Sequence, residues 1–187
     1  HMVSDVYDPG STMKCIAVAG ALDYGVVDLE TEFDCEHGLW YYCRTPLHDS
    51  HGNGILNVSD IIRKSSNIGT AKIGVAMGKN RLFQTLRRFG FGKPTGIGFD
   101  DESPGLLSRP AKWDCLSITR FPIGQGVSVT PLQMTQAYCA LANNGEMPQL
   151  HLIDRIISSD AKIEAVVPPP NRLVLRGNTA SKIVSAM

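Results

Sequence analysis

Two side chains near the start of the chain have the types and spacing for nucleophilic chemistry: Ser11 and Lys14, in "PGSTMKCIAVAGAL". A serine hydroxyl is a poor nucleophile until a base takes its proton. A lysine amine is such a base only when neutral, and burial favours the neutral form because desolvation penalises the charge. Lys14 interrupts an apolar stripe: Ser11, Lys14, Cys15, Val18 and Leu22 recur at i, i+3, i+4, i+7 and i+11, the repeat of one helix face. Side chains three positions apart on a helix lie ~5–6 Å apart at Cβ. Ser11 also falls in the first turn, where unpaired N–H groups and the helix dipole favour a developing oxyanion.

S-x-x-K alone is weak, because serine and lysine are common and about one match per chain of this size arises by chance. A second match, Ser159 to Lys162, lies in a polar turn with no buried face and is given no chemistry. The competing reading of the first is a capping serine with a lysine that snorkels from the helix edge. Ser65-Ser66-Asn67 adds weight to the catalytic one. Val58, Ile61, Ile62 and Ser65 share a second helix face, so a polar residue again closes an apolar stripe. A serine there, followed by an asparagine at a helix break, is able to hydrogen-bond both a lysine base and a substrate amide. Taken alone, the triplet reads equally as a cap between two helices.

The elements that must position these groups are mostly helices. The pattern predicts helices over 11–23, 58–65, 68–77, 80–89 and 131–143, with Asn67 capping the third. Thr130, Pro131 and Gln133 form a capping box with a proline start. Residues 25–54 read as a loop with room for a short hairpin, and the Gly- and Pro-rich stretch 90–110 as another loop. Leu150 to Ser158 and Lys162 to Val167 read as two strands around "SSDAK". A last helix is expected over 178–187.

Composition narrows the function. The chain has 187 residues, enough for one domain with a real core. Lys plus Arg and Asp plus Glu number 18 each, without a basic run, which argues against nucleic acid or an anionic membrane as the main partner. No apolar stretch approaches the ~20 residues of a membrane span. Five cysteines without a CxxC do not read as a disulfide-built scaffold, and Cys15 and Cys139 read as small core residues. Cys35, His37, Cys43, His48 and His51 have zinc-binding side chains, but their spacing fits no zinc template. No metal or other cofactor is expected.

These pieces together resemble the transpeptidase domain of class B penicillin-binding proteins. "YDPGSTMK" is similar to the family's nucleophile motif and "SSN" to its S-x-N motif. "DSHGNGILNVSDIIRKSSNIGTAKI", "FGFGKPTGIGF" and "IGQGVSVTPLQMTQAYCALANNG" resemble further stretches of it, so the likeness runs from Tyr7 to Met187. The resemblance implies a serine-type D,D-transpeptidase. Ser11 would attack the D-Ala-D-Ala stem peptide of peptidoglycan, with Lys14 as base and Ser65 as proton shuttle. Asn67 would complete the catalytic group, Ser66 and Asn67 would bind substrate, and the Gly124-Gln125-Gly126 turn would be structural. β-Lactams would trap Ser11, and the enzyme would work on the outer, periplasmic side of the bacterial inner membrane, held by an anchor.

The family's third motif, K-T-G, does not occur in the chain. His1-Met2 reads as a cloning scar, and residues 3–187 as a partial transpeptidase domain cut before K-T-G. The expected fold is therefore mainly α, the helical subdomain of an α+β parent, with a small β-hairpin and most of the central sheet missing. Two consequences are expected: Lys14 opens to water, making acylation slow or absent, and bared apolar surface favours self-association. The alternatives are a β-lactam-hydrolysing or sensing relative, for which neither Glu102 nor Glu146 offers a convincing base, and a non-catalytic helical interaction module.

Overall fold

The structure is a computed structural model, described over residues 1–167 and 169–187. Its centre is helix α1 (Thr12–Asp23), whose residues 13–22 are all buried. The helix is apolar all round, so it is buried on every side rather than along one stripe. Helices α3 (Asn67–Met77), α4 (Lys79–Arg88) and α7 (Gly177–Ala186) surround it, with the tight turn Phe121–Ile123. Gly20 makes the α1–α4 crossing possible, because a Cβ there would run into the Thr85 side chain. Lys14 is thus a cation in the central helix of the core, a more demanding place than the edge of a stripe.

The other helices are α2 (Val58–Arg63), α5 (Ser117–Arg120) and α6 (Pro131–Ala142). In α6 the expected box is complete: Gln133 N–H donates to Thr130 Oγ1, Thr130 N–H donates to Gln133 Oε1, and Pro131 opens the helix. Among the described residues the strands form four antiparallel pairs: β1 (Glu32–Asp34) with β4 (Ile55–Asn57), β2 (Leu39–Tyr42) with β3 (Thr45–His48), β5 (Glu146–Met147) with β8 (Arg172–Leu173), and β6 (Arg155–Ile157) with β7 (Ile163–Ala165). The architecture is mainly helical with small sheets, as expected. The hairpin expected near 150–167 is the β6–β7 pair, shorter than its pattern suggested and exposed throughout. The β1–β4 and β5–β8 pairs join distant segments, so no turn signal announces them.

Two expectations need correction. The second helix ends at Arg63, not Ser65, and Ser65 lies in the left-handed region at φ 54°. Cys43 and Cys115 form a disulfide across 72 positions, with a Cα–Cα distance of 6.4 Å. Cys15, Cys35 and Cys139 remain as thiols. Among the described residues no group of three or more His, Cys, Asp or Glu is placed to hold a metal, and no helix is long and apolar enough to cross a membrane.

Candidate active site

Three side chains meet at the mouth of α1. Ser11 is the N-cap residue, yet its hydroxyl makes no capping bond. It is exposed, and it lies 3.2 Å from Ser65 Oγ. Among the described residues the Ser11 N–H donates to no protein acceptor, so a backbone donor stands free beside the hydroxyl. Lys14, one turn further on, is only 3% exposed. Its Nζ donates to Ser65 Oγ at 2.9 Å and also to the Ser65 carbonyl. Ser65 Oγ therefore bridges amine and nucleophile.

Burial lowers the Lys14 pKa from 10.5 to about 8, the charge of Asp49 opposing the fall. A substantial neutral fraction near physiological pH is what a lysine base requires. The expected opening of Lys14 to water is not what the structure shows: the Ser65 segment covers the amine.

Ser65 reaches this position through the way α2 ends. Its N–H donates to Ile62 O at 3.0 Å and the Ser66 N–H to Ile61 O at 3.0 Å. This pair of bonds, closed by a left-handed residue, is the Schellman ending, where glycine is the usual occupant. A serine there carries a Cβ penalty of ~1–2 kcal/mol. Strain of this kind concentrates at functional sites. The left-handed turn takes Ser65 off the helix face and aims both its oxygens at Lys14.

Asn67 and Ser66 divide differently from expectation. The α3 cap is Ser66, whose Oγ accepts from Gly69 N–H at 2.9 Å. Ser66 is buried and its hydroxyl donates to Asp49 Oδ2 at 2.6 Å, so it faces the protein interior. Asn67 is half-buried, and its Nδ2 donates to His48 O at 2.8 Å. Asp49, which carried no signal in the sequence beyond its place in "DSHGNG", accepts from both Ser66 Oγ and Ile68 N–H.

The Gly124-Gln125-Gly126 turn sets the approach to Ser11. Gly124 O accepts from Gly10 N–H at 3.1 Å. Gly124 has φ 73°, and a Cβ on it would collide with the Gly10 backbone. The turn before the nucleophile is thus held at backbone contact distance by a residue that must be glycine.

A buried lysine bridged by one serine to another at a helix N-terminus is the arrangement that S-x-x-K serine chemistry requires. The chain belongs to the family described as the penicillin binding protein transpeptidase domain, which matches residues 1–187. It is 30% identical to penicillin-binding protein PbpB of Mycobacterium tuberculosis over 97% of this chain and 27% of that protein. It is 33% identical to a probable peptidoglycan D,D-transpeptidase FtsI of Caulobacter vibrioides over 98% of this chain and 30% of that protein. Among solved structures, penicillin-binding protein 3 of M. tuberculosis complexed with aztreonam superposes with a TM-score of 0.90 at 30% identity, over 97% of this chain and 41% of that one. A peptidoglycan synthetase from Bifidobacterium adolescentis gives a TM-score of 0.93 at 27% identity, over 100% and 34%. The chain spans less than a third of the length of these two curated relatives.

Proposed function

We propose that this chain carries the nucleophile half of a peptidoglycan D,D-transpeptidase site. The single observation behind the reading is the Lys14–Ser65–Ser11 chain of contacts, at 2.9 and 3.2 Å, around a buried amine. In this reading the Ser11 hydroxyl gives its proton to Ser65 Oγ as Ser65 gives its own to the neutral Lys14 amine. Ser11 Oγ then attacks the carbonyl between the two D-alanines of a stem peptide. The Ser11 N–H helps hold the oxyanion, a type of donor worth ~10²–10³ in rate. The same relay, reversed, protonates the departing D-alanine amine and leaves an acyl-enzyme on Ser11. An amine of a neighbouring stem peptide resolves it, forming the cross-link. Asn67 positions the substrate amide, while Ser66 caps α3 and supports the site from behind.

A β-lactam presents a strained amide to the same hydroxyl and stays attached after attack. The relatives' names support this reading, since they include penicillin-binding proteins and peptidoglycan D,D-transpeptidases. The whole protein would work outside the cytoplasmic membrane, where peptidoglycan lies, held there by an anchor. The apolar groove lined by Tyr7, Met134, Tyr138 and Cys139, with Tyr7 exposed at its edge, supports self-association of the chain; apparent mass should then rise with concentration.

The decisive experiment is incubation with a fluorescent penicillin followed by a denaturing gel. Covalent label is expected in the wild-type chain and absent in Ser11→Ala. No label at Ser11 after prolonged incubation would overturn the reading.

A further inference from the structure

Behind the serine–lysine pair lies a carboxylate that the acyl-transfer steps do not use. Asp49 follows β3, and its own N–H donates to Gly38 O at 3.1 Å, which fixes it to the end of the β2–β3 hairpin. Its two carboxylate oxygens are committed to the start of α3: Oδ2 accepts from Ser66 Oγ at 2.6 Å and Oδ1 from Ile68 N–H at 2.9 Å. Asn67 Nδ2 adds a third tie to the same hairpin at His48 O. Ser65 sits immediately before these bonds in a strained left-handed conformation. Such a conformation persists only where the surroundings hold it. The three ties supply that hold on one side, and the α2 ending supplies it on the other.

We propose that Asp49 is a positioning residue for the Ser11–Lys14 pair. It locks the turn from which Ser65 meets Lys14, through its bonds to Ser66 and Ile68, and its carboxylate acts on the buried amine through space, without a direct ion pair. This rests on the acyl-transfer reading of the site. The titratable groups acting on the amine are Asp49, from the hairpin, and Cys15, from α1 itself. Cys35 lies beneath Ser66, with Lys72 and Asp34 acting on it in turn. Asp49 is the carboxylate among the groups acting on Lys14. Its effect is to keep the amine protonated to higher pH than burial alone would allow. A base that is both buried and partly neutralised is tuned from two directions, and Asp49 supplies one of them.

The test is a direct titration of Lys14 by carbon-13 lysine NMR in the intact chain, for wild type, Asp49→Asn and Asp49→Glu. Asp49→Asn keeps an acceptor but removes the charge, so the Lys14 midpoint should fall below about 8, by on the order of one pH unit. Asp49→Glu restores the charge, and its midpoint should return toward wild type while acylation stays slower than wild type. An unchanged or raised midpoint in Asp49→Asn would overturn the proposal. So would a fall of the same size in Asp49→Glu, or loss of the fold in both variants. The titration needs no acylation, so a wild-type chain that never labels with penicillin sinks the transpeptidase reading and leaves this test standing.

Discussion

Lys14 Nζ meets Ser65 at two oxygens, the hydroxyl at 2.9 Å and the main-chain carbonyl. The carbonyl can only accept, so it holds the amine in place whichever way the hydroxyl points. That leaves the hydroxyl free to pass a proton in either direction, and it fixes the order of events: the amine must be neutral before it accepts.

The pH dependence of acylation follows. With its pKa lowered to about 8 by burial, Lys14 is mostly protonated at pH 6 and mostly neutral at pH 9.5. The second-order rate of acylation by a β-lactam should rise about tenfold per pH unit below the midpoint and level off above it. Stopped-time labelling across pH 6–10 measures this; a flat profile would exclude Lys14 as the base.

The same group leaves a mark on stability. Its folded pKa lies below its unfolded value near 10.5, so the unfolded chain binds more protons between about pH 8 and 10.5. Stability therefore gains a rising contribution with pH across that window. Lys14→Met should lose this contribution, seen as the difference between the two denaturation curves from pH 7.5 to 10.5.

Ser65 offers a separation of strain from chemistry. Ser65→Gly relieves the left-handed penalty and Ser65→Ala keeps it, so the glycine variant should be more stable by about 1 kcal/mol. Both should lose the proton bridge and acylate far more slowly than wild type. Chemical denaturation paired with penicillin labelling reads both effects; equal stability of the two variants would mean the turn is not strained.

The Cys43–Cys115 disulfide closes a loop of 72 positions, worth about 4 kcal/mol by loop-closure entropy. Cys43 lies at the tip of the hairpin that carries Asp49. Replacing both cysteines with serine should lower the melting temperature by roughly 10 °C. It should also slow acylation, because the hairpin then holds α3 less firmly. A melting temperature within a degree or two of wild type would show that the bond adds no constraint.

Asp23 at the end of α1 joins Arg88 at 3.1 Å and Arg176 at 3.2 Å. Burial alone would push its carboxyl up, but the hydrogen bonds from Arg176 and Arg88 hold it below the usual carboxylate value. Its stabilising contribution is full above the unfolded pKa near 4 and disappears as pH falls through the lower folded value. Asp23→Asn should cost about 1.5–3 kcal/mol at neutral pH and remove that part of the acid sensitivity. Urea melts at pH 7 and pH 3 test both.

Much of the helical frame could be read directly, because helix starts and stops depend on neighbouring residues. Thr130, Pro131 and Gln133 bond within one turn, so their spacing fixes the α6 start. Ser11 and Lys14 are likewise three positions apart at the start of one helix, so their proximity follows from spacing alone. The apolar repeat through Ile61 and Ile62 ran on into Ser65, because periodicity cannot show a left-handed residue that is not glycine. Asp49 carries no local signal for a different reason: its partners lie 17 and 19 positions away, beyond the hairpin.

The sequence by itself determined that a serine and a lysine share the first turns of an apolar helix, since local hydrogen bonding and side-chain pattern suffice for that. Tertiary structure decided whether the lysine is dry, which serine meets it, which carboxylate braces the turn beside it and which cysteines pair. Those outcomes depend on contacts between distant segments, from the 51 positions between Lys14 and Ser65 to the 72 between Cys43 and Cys115. Such contacts form only when the burial of the whole core compensates the entropy of bringing those segments together.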